Sequence, residues 1–255
     1  MGFITDTVYL TGRLYRQTLR LPVFLMISVV QSVLWLLLFG QLFRRVIEVP
    51  GFETTSYLQF LAPGIAVMAA LFGSIHSGLG MLSDIERGVI DRFLATPARR
   101  GALIGARVAH VATMATVQAT LILAIATALG ARPGGGGAGI LVVLLAAALL
   151  GSAFGAVSNA VSLLTRRQEI IIASMDFIVL PMIFLSGIMM TPALMPTWIQ
   201  RVAAVNPVNW AVVAARGGFE GNWVGVGTHL ALLAGIALAC AWWATRAFDR
   251  CRATL

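Results

Sequence analysis

Apolar residues in this chain gather in long, nearly unbroken runs, with neither the alternation of a half-covered strand nor the single stripe of a surface helix. Six runs stand out: Leu21–Phe43, Leu58–Leu82, Ala102–Leu129, Gly139–Leu164, Ile170–Met190 and Val226–Thr245. A helix crossing the hydrocarbon core needs about 20 apolar residues, and each run supplies that length. The pattern predicts an all-α integral membrane fold, with six transmembrane helices in one domain over residues 1–255. Ahead of the first run, Phe3, Ile4, Val8, Leu10, Leu14 and Leu19 are interleaved with Thr5, Asp6, Arg13, Arg16, Gln17 and Arg20. That predicts an amphipathic interfacial helix over 1–20, lying among the lipid headgroups with its arginines toward anionic lipid. No short apolar core with a small-residue cleavage site follows the basic start, so no cleaved signal is expected.

The connections between runs are unequal. Residues 130–138 (GARPGGGGA) read as a short flexible turn, and residues 165–169 (TRRQE) as a tight hairpin. Residues 83–101 are more structured. Ser83 with Glu86 three positions on is a capping box that starts a helix. Ile85, Val89, Ile90, Phe93 and Leu94 make its apolar stripe, and Pro97 stops it. Asp84, Arg87, Asp91 and Arg92 fall on its polar side, where Asp84–Arg87 and Arg87–Asp91 are spaced to pair. In residues 191–225, Pro196 suits a first helical turn, and Asn206-Pro207 suits a cap followed by an N1 proline. That second helix is expected to run to Arg216 and end at Gly217-Gly218. Trp198, Trp210 and Trp223 then belong to the outer headgroup belt.

Composition agrees with the runs. Hydrophobic residues make up 59% and charged residues only 11%, against roughly a quarter charged in a soluble domain. All 18 basic residues are arginine, which removes the P-loop lysine and every Schiff-base mechanism. Any ATP-driven work therefore needs another polypeptide to hydrolyse the nucleotide. Together with heavy alanine and glycine usage, the missing lysine points to a GC-rich bacterial genome and hence a bacterial plasma membrane. The net charge of +8 is spread over short arginine clusters between runs, which reads as membrane topology and excludes a nucleic-acid face. With both termini cytoplasmic, thirteen arginines lie inside and five outside, although Arg44 and Arg45 pull the other way. Cys240 and Cys251 make no disulfide framework, and His76, His110 and His229 are too far apart for a zinc motif.

Several polar residues interrupt the runs. Asp176, two turns into the fifth run, costs about 2.5–3.5 kcal/mol in a bilayer and should face protein or water. It is either a point on a substrate path or subunit interface, or the partner of a nearby Ser, Asn or Arg. Asn159, Ser158, Ser162 and Gln118 suit helix–helix hydrogen bonds, and Gly151 with Gly155 a small packing face. Pro181 is expected to kink the fifth span.

Asp84-Ile85-Glu86-Arg87-Gly88, Arg92-Phe93-Leu94, Thr96-Pro97 and Gly105 resemble the signature of type-2 ABC transporter permeases, of the daunorubicin-resistance kind. That signature runs acidic-Arg-x-x-Gly, Leu-x-x-x-Pro, Gly; here its Glu-Arg-Glu core is shortened, with Gly88 directly after Arg87. The resemblance implies that 83–98 is a cytoplasmic coupling helix docking on a separate ATPase through Glu86, Arg87, Gly88, Asp91, Arg92, Phe93 and Pro97. It implies that 191–218 forms extracellular re-entrant helices before the last span. It also implies two ATPase copies holding ATP and magnesium, with no cofactor in this chain. A second permease chain, identical or paralogous, and a hydrophobic or amphiphilic small-molecule substrate complete the implied assembly. Asp176, Asn159, Pro181, Asn206 and Pro207 are the candidates for the path or gate. Two other readings stay open: a proton-coupled secondary carrier using Asp176, and an intramembrane enzyme pairing Asp176 with Asp91 or a histidine.

Overall fold

The structure is a computed structural model that describes residues 3–20, 23–43, 56–90, 100–191 and 194–252. Those residues form helices and no strands. In chain order the helices are α1 (Phe3–Arg20), α2 (Val23–Leu42), α3 (Tyr57–Glu86), α4 (Arg100–Ala128), α5 (Gly136–Thr165), α6 (Gln168–Phe184), α7 (Thr197–Val205), α8 (Pro207–Glu220) and α9 (Val226–Arg252). Four of them, α3, α4, α5 and α9, are long and apolar enough to cross a membrane. Alongside these, α2 carries a shorter apolar stretch over Met26–Leu42, and α6 has 17 residues.

The bundle is built around α3, whose most apolar window is 78% buried, against 11% in α9. Between helices that are apolar all round, as α3 and α5 are, close approach rather than hydrophobic segregation selects the interface. Accordingly, α3 and α5 meet through small residues. Ser158 donates to the Ile75 carbonyl at 2.8 Å and accepts from the Gly78 amide at 3.1 Å. A Cβ on Gly78 would lie 2.6 Å from the Ser158 carbonyl oxygen. Gly151 and Gly155 of α5 pack in the same way against Ala115 and Val111 of α4. Gln118 of α4 donates to Ser28 of α2 at 2.7 Å, and Asn159 of α5 to Ser77 of α3 at 2.8 Å. The expected interhelical hydrogen bonds at Ser158, Asn159 and Gln118 are therefore present, whereas the buried Ser162 hydroxyl makes none among the described residues.

Several boundaries differ from expectation, each for a tertiary reason. No helix starts at Ser83, because α3 continues through it to Glu86. Residues 130–138 are not a free turn: the Gly135 amide donates to the Phe219 carbonyl at 3.1 Å, docking the glycines on the end of α8. The Gly217-Gly218 pair lies inside α8, which runs to Glu220 and ends at Gly221 with φ +84°. Finally, α6 stops at Phe184, one turn past Pro181, and the chain turns through 185–190.

The Gly78–Ser158 crossing leaves no space for a methyl group, and overpacking costs about 1–3 kcal/mol. Gly78→Ala should lower the melting temperature of the detergent-solubilised protein. Gly235→Ala in α9, with nothing within 4 Å of its added Cβ, should not.

Candidate functional site

The end of the bundle that carries Glu86 is built on the last turn of α3. The Arg87 amide donates to the Ser83 carbonyl at 3.1 Å and the Gly88 amide to the Ile85 carbonyl at 2.9 Å. Gly88 then reverses the chain at φ +64°, a left-handed conformation that glycine adopts at no steric cost. Glu86 and Arg87 are exposed at this turn. Ile90 folds back into a small apolar cluster with Met81, Leu103, Leu163, Ala244 and Phe248. Asp91, Arg92, Phe93 and Pro97, expected to complete the coupling helix, lie outside the described residues.

Asp84 does not face solvent beside Arg87. It is only 1% exposed, and its carboxylate accepts from Arg13 of α1 at 2.7 Å and from Arg107 of α4 at 2.5 Å. Arg107, counted from sequence as a topological arginine, is itself 3% exposed and also reaches the Ser77 and Gly80 carbonyls. Two further contacts join α1 to α4 nearby. Thr18 Oγ1 lies 2.9 Å from His110 Nε2, and the Tyr15 and His110 rings are 5.2 Å apart. The sequence signal for this cluster is an arginine five residues inside the third apolar run.

At the opposite end, α7 and α8 close over the turn that follows α6. Asn206 has the predicted cap role: its side-chain oxygen accepts from the Val208 amide at 2.9 Å, with Pro207 at the first position of α8. Its side-chain amide donates to the Met182 and Leu185 carbonyls at 2.7 and 3.1 Å. Asn209 accepts from the Gly187 amide at 2.9 Å. Arg216 donates to the Gly187 carbonyl at 2.8 Å and to the Phe60 carbonyl at 3.3 Å, with its guanidinium 3.5 Å over the Phe60 ring. Tyr57 of α3 donates to the Met189 carbonyl at 3.0 Å. Sequence reasoning placed Arg216 at a helix end in the outer loop and missed this clamp.

The remaining candidates are scattered. Asn159 is 1% exposed and donates to Ser77 and the Gly155 carbonyl, between α3 and α5. Asp176 and Pro181 lie on the outward face of α6 with Phe177, Leu180 and Phe184. The opposite stripe, Ile171, Met175, Val179 and Ile183, is the part of α6 that is buried. Asp176 therefore faces away from its own bundle rather than into it. Of the path candidates, the structure brings Asn206 and Pro207 together and leaves Asn159, Asp176 and Pro181 apart from them.

This two-ended helical chain matches the family described as ABC-2 type transporter over residues 5–219. The chain belongs to that family. It is 30% identical over 223 residues to the daunorubicin resistance ABC transporter permease protein DrrB1 of Streptomyces coeruleorubidus, covering 84% of this chain and 76% of that protein. It is 29% identical over 217 residues to the putative transport permease ycf38 of Cyanophora paradoxa, covering 84% and 74%. A third relative, the probable doxorubicin resistance ABC transporter permease protein DrrC of Mycobacterium tuberculosis (strain ATCC 25618 / H37Rv), is 25% identical over 242 residues, covering 94% and 86%. The chain is thus a multi-pass membrane permease subunit rather than an enzyme, and the family implies association with an ABC ATPase.

Asn206 joins the helix cap to the end of α6, and the two roles can be separated. Asn206→Ala loses both and should cost about 1–3 kcal/mol, the usual penalty for stranding buried polar groups. Asn206→Asp keeps the cap acceptor but points a carboxylate at two carbonyls, so its thermal melt should fall at least as far.

Proposed function

We propose that this chain is the membrane half of an ATP-driven exporter that moves a hydrophobic or amphiphilic small molecule out of the cytoplasm or the inner leaflet. The observation that carries the reading is the exposed Glu86-Arg87-Gly88 turn at the end of the central helix α3, in a chain of the ABC-2 type transporter family. A rigid post that ends in an exposed charged turn suits a partner that pushes on it. The drug-resistance names of two relatives support a drug, lipid or polyketide-like cargo.

In this reading α2, α3, α4, α5, α6 and α9 are the six spans, in a bacterial plasma membrane with both termini cytoplasmic, as the arginine distribution favours. Two ATPase copies, holding ATP and magnesium, act beneath two permease chains, identical or paralogous. The second permease packs against α6, covering the outward-facing Asp176, because a carboxylate left against lipid is costly. Closure of the ATPase pair displaces residues 83–98, where Glu86, Arg87, Gly88, Asp91, Arg92, Phe93 and Pro97 form the docking surface. The bundle then shifts between two discrete packings. Substrate leaves past Asp176, along the face of α6 that the second permease covers, through an outer gate formed by the Pro181 end of α6 and the re-entrant pair α7 and α8. Asn206 and Pro207 hold that gate by tying α8 to the end of α6.

Purification from the native host in mild detergent, followed by mass spectrometry, tests the reading. A stoichiometric ABC ATPase should accompany the chain and be lost from the Glu86→Ala/Arg87→Ala double variant. A chain that emerges alone, with transport that survives ATP depletion but not an uncoupler, would overturn the assignment and make Asp176 the residue to pursue.

A further inference from the structure

Among the described residues, Gly88, Gly130, Gly136, Gly221 and Gly225 have positive φ, and the one non-glycine that joins them is Arg166. It follows the last residue of α5 at φ 51° and ψ 28°. Its amide donates to the Ser162 carbonyl at 3.0 Å, a bond that a glycine there would make equally well. A Cβ in this conformation crowds the following carbonyl, so glycine would close α5 at lower energy. Helix closure therefore does not account for the side chain. A positive charge does complement the carbonyl end of a helix, but Arg167 next to it supplies one from an extended backbone. A left-handed arginine kept in spite of its strain marks a place where the side chain itself is used.

That place adjoins α9. Leu163 of α5, one turn before Arg166, packs in one cluster with Ala244, Ala247 and Phe248 of α9. The end of α5 and the last turns of α9 thus lie side by side, and Arg166, Arg167 and Arg246 are all exposed there. Over residues 164–170 and 245–252 the sequence sets five arginines against two acids, Glu169 and Asp249. In addition, α9 carries an ordered stripe, because Leu238, Trp242 and Arg246 are spaced four residues apart and share one face. Leu238 and Trp242 are 72% and 61% exposed, and the Arg246 guanidinium lies 4.8 Å from the centre of the Trp242 ring. Apolar, then amphipathic, then cationic is the order of acyl chain, interface and headgroup within one leaflet. A soluble anion would call for the arginines but not for the apolar end of that stripe.

We propose that the adjoining ends of α5 and α9 bind an anionic phospholipid, its phosphate held by Arg166, Arg167 and Arg246 and an acyl chain lying along Trp242 and Leu238. Guanidinium groups meet phosphate oxygens through paired N–H donors, which fixes a headgroup in one orientation. The bound lipid ties the α5–α6 hairpin to α9 at the membrane surface. The inference rests on α5 and α9 crossing the bilayer and is independent of the export reading.

Native mass spectrometry of the detergent-solubilised permease, titrated with dioleoylphosphatidylglycerol or dioleoylphosphatidylcholine, tests the site. The anionic lipid should bind about tenfold more tightly, since each arginine near the headgroups is worth about fivefold. Arg166→Gly and Arg246→Ala should each weaken the anionic lipid about fivefold and leave the zwitterionic one unchanged. Arg166→Gly is the decisive variant, because it relieves the left-handed backbone and should melt no lower than the parent in the absence of lipid. Arg246→Ala repeats the measurement without touching the turn. Arg201→Ala, which removes an exposed arginine from α7 at the other end of the bundle, should change neither affinity. Equal affinity for the two lipids overturns the site, as does a preference that survives both substitutions or falls equally in Arg201→Ala. Displacement of the anionic lipid by an equal concentration of glycerol 1-phosphate reveals an anion site without a lipid, and overturns it too. An Arg166→Gly/Arg246→Ala protein that keeps its lipid preference but loses a co-purifying ATPase assigns the arginines to that partner instead.

Discussion

Inside a bilayer no water is available to pair with a backbone amide or carbonyl, so every such group must find its partner within the protein. Long helices meet this requirement by themselves, which is why the described residues form helices throughout. The difficult place is where a helix stops short. After Phe184 the backbone turns through 185–190, and its polar groups are met by side chains brought from elsewhere. Asn206 reaches Met182 and Leu185, Asn209 meets the Gly187 amide, Arg216 meets the Gly187 and Ile188 carbonyls, and Tyr57 meets Met189. The short helices α7 and α8 are thereby joined to the end of α6 and to the central post α3.

Charge follows the same logic at the other end. Asp84 is buried and matched by arginines from two other helices, so three separate segments converge on one carboxylate. Asp176 is the opposite case. It lies on an outward face among Phe177, Leu180 and Phe184, with Phe177 itself 81% exposed. One acidic residue is neutralised within the chain and so ties it together. The other is turned outward, away from its own bundle.

Much was legible before any coordinates. The apolar runs delimit α3, α4 and α5 to within a few residues, because a run of that length has no other stable form in lipid. The amphipathic helix α1 and the Asn206-Pro207 cap were also readable, since both are local: one is periodicity, the other is a side chain bonding an amide two residues away. Local reading failed where a distant partner outweighed it. Ser83 and Glu86 spell a capping box, yet Asp84 between them is drawn into the bundle by Arg13 and Arg107, and α3 runs straight through. The glycines of 130–138 spell a flexible turn, yet their lack of side chains lets the backbone lie against Phe219.

Sequence alone therefore determined that the chain is a membrane protein, where its main helices lie, and what family it resembles. These follow from composition, run length and short motifs, all of which act over a few neighbouring residues. Tertiary structure decided the fate of the individual charges. Arg13 and Arg107 are 94 positions apart in the sequence yet converge on Asp84, and Arg216 caps the Phe60 carbonyl 156 positions away. An arginine in an apolar run reads the same whether it snorkels to the headgroups or closes on a buried carboxylate. Only the packing of one helix against another distinguishes the two.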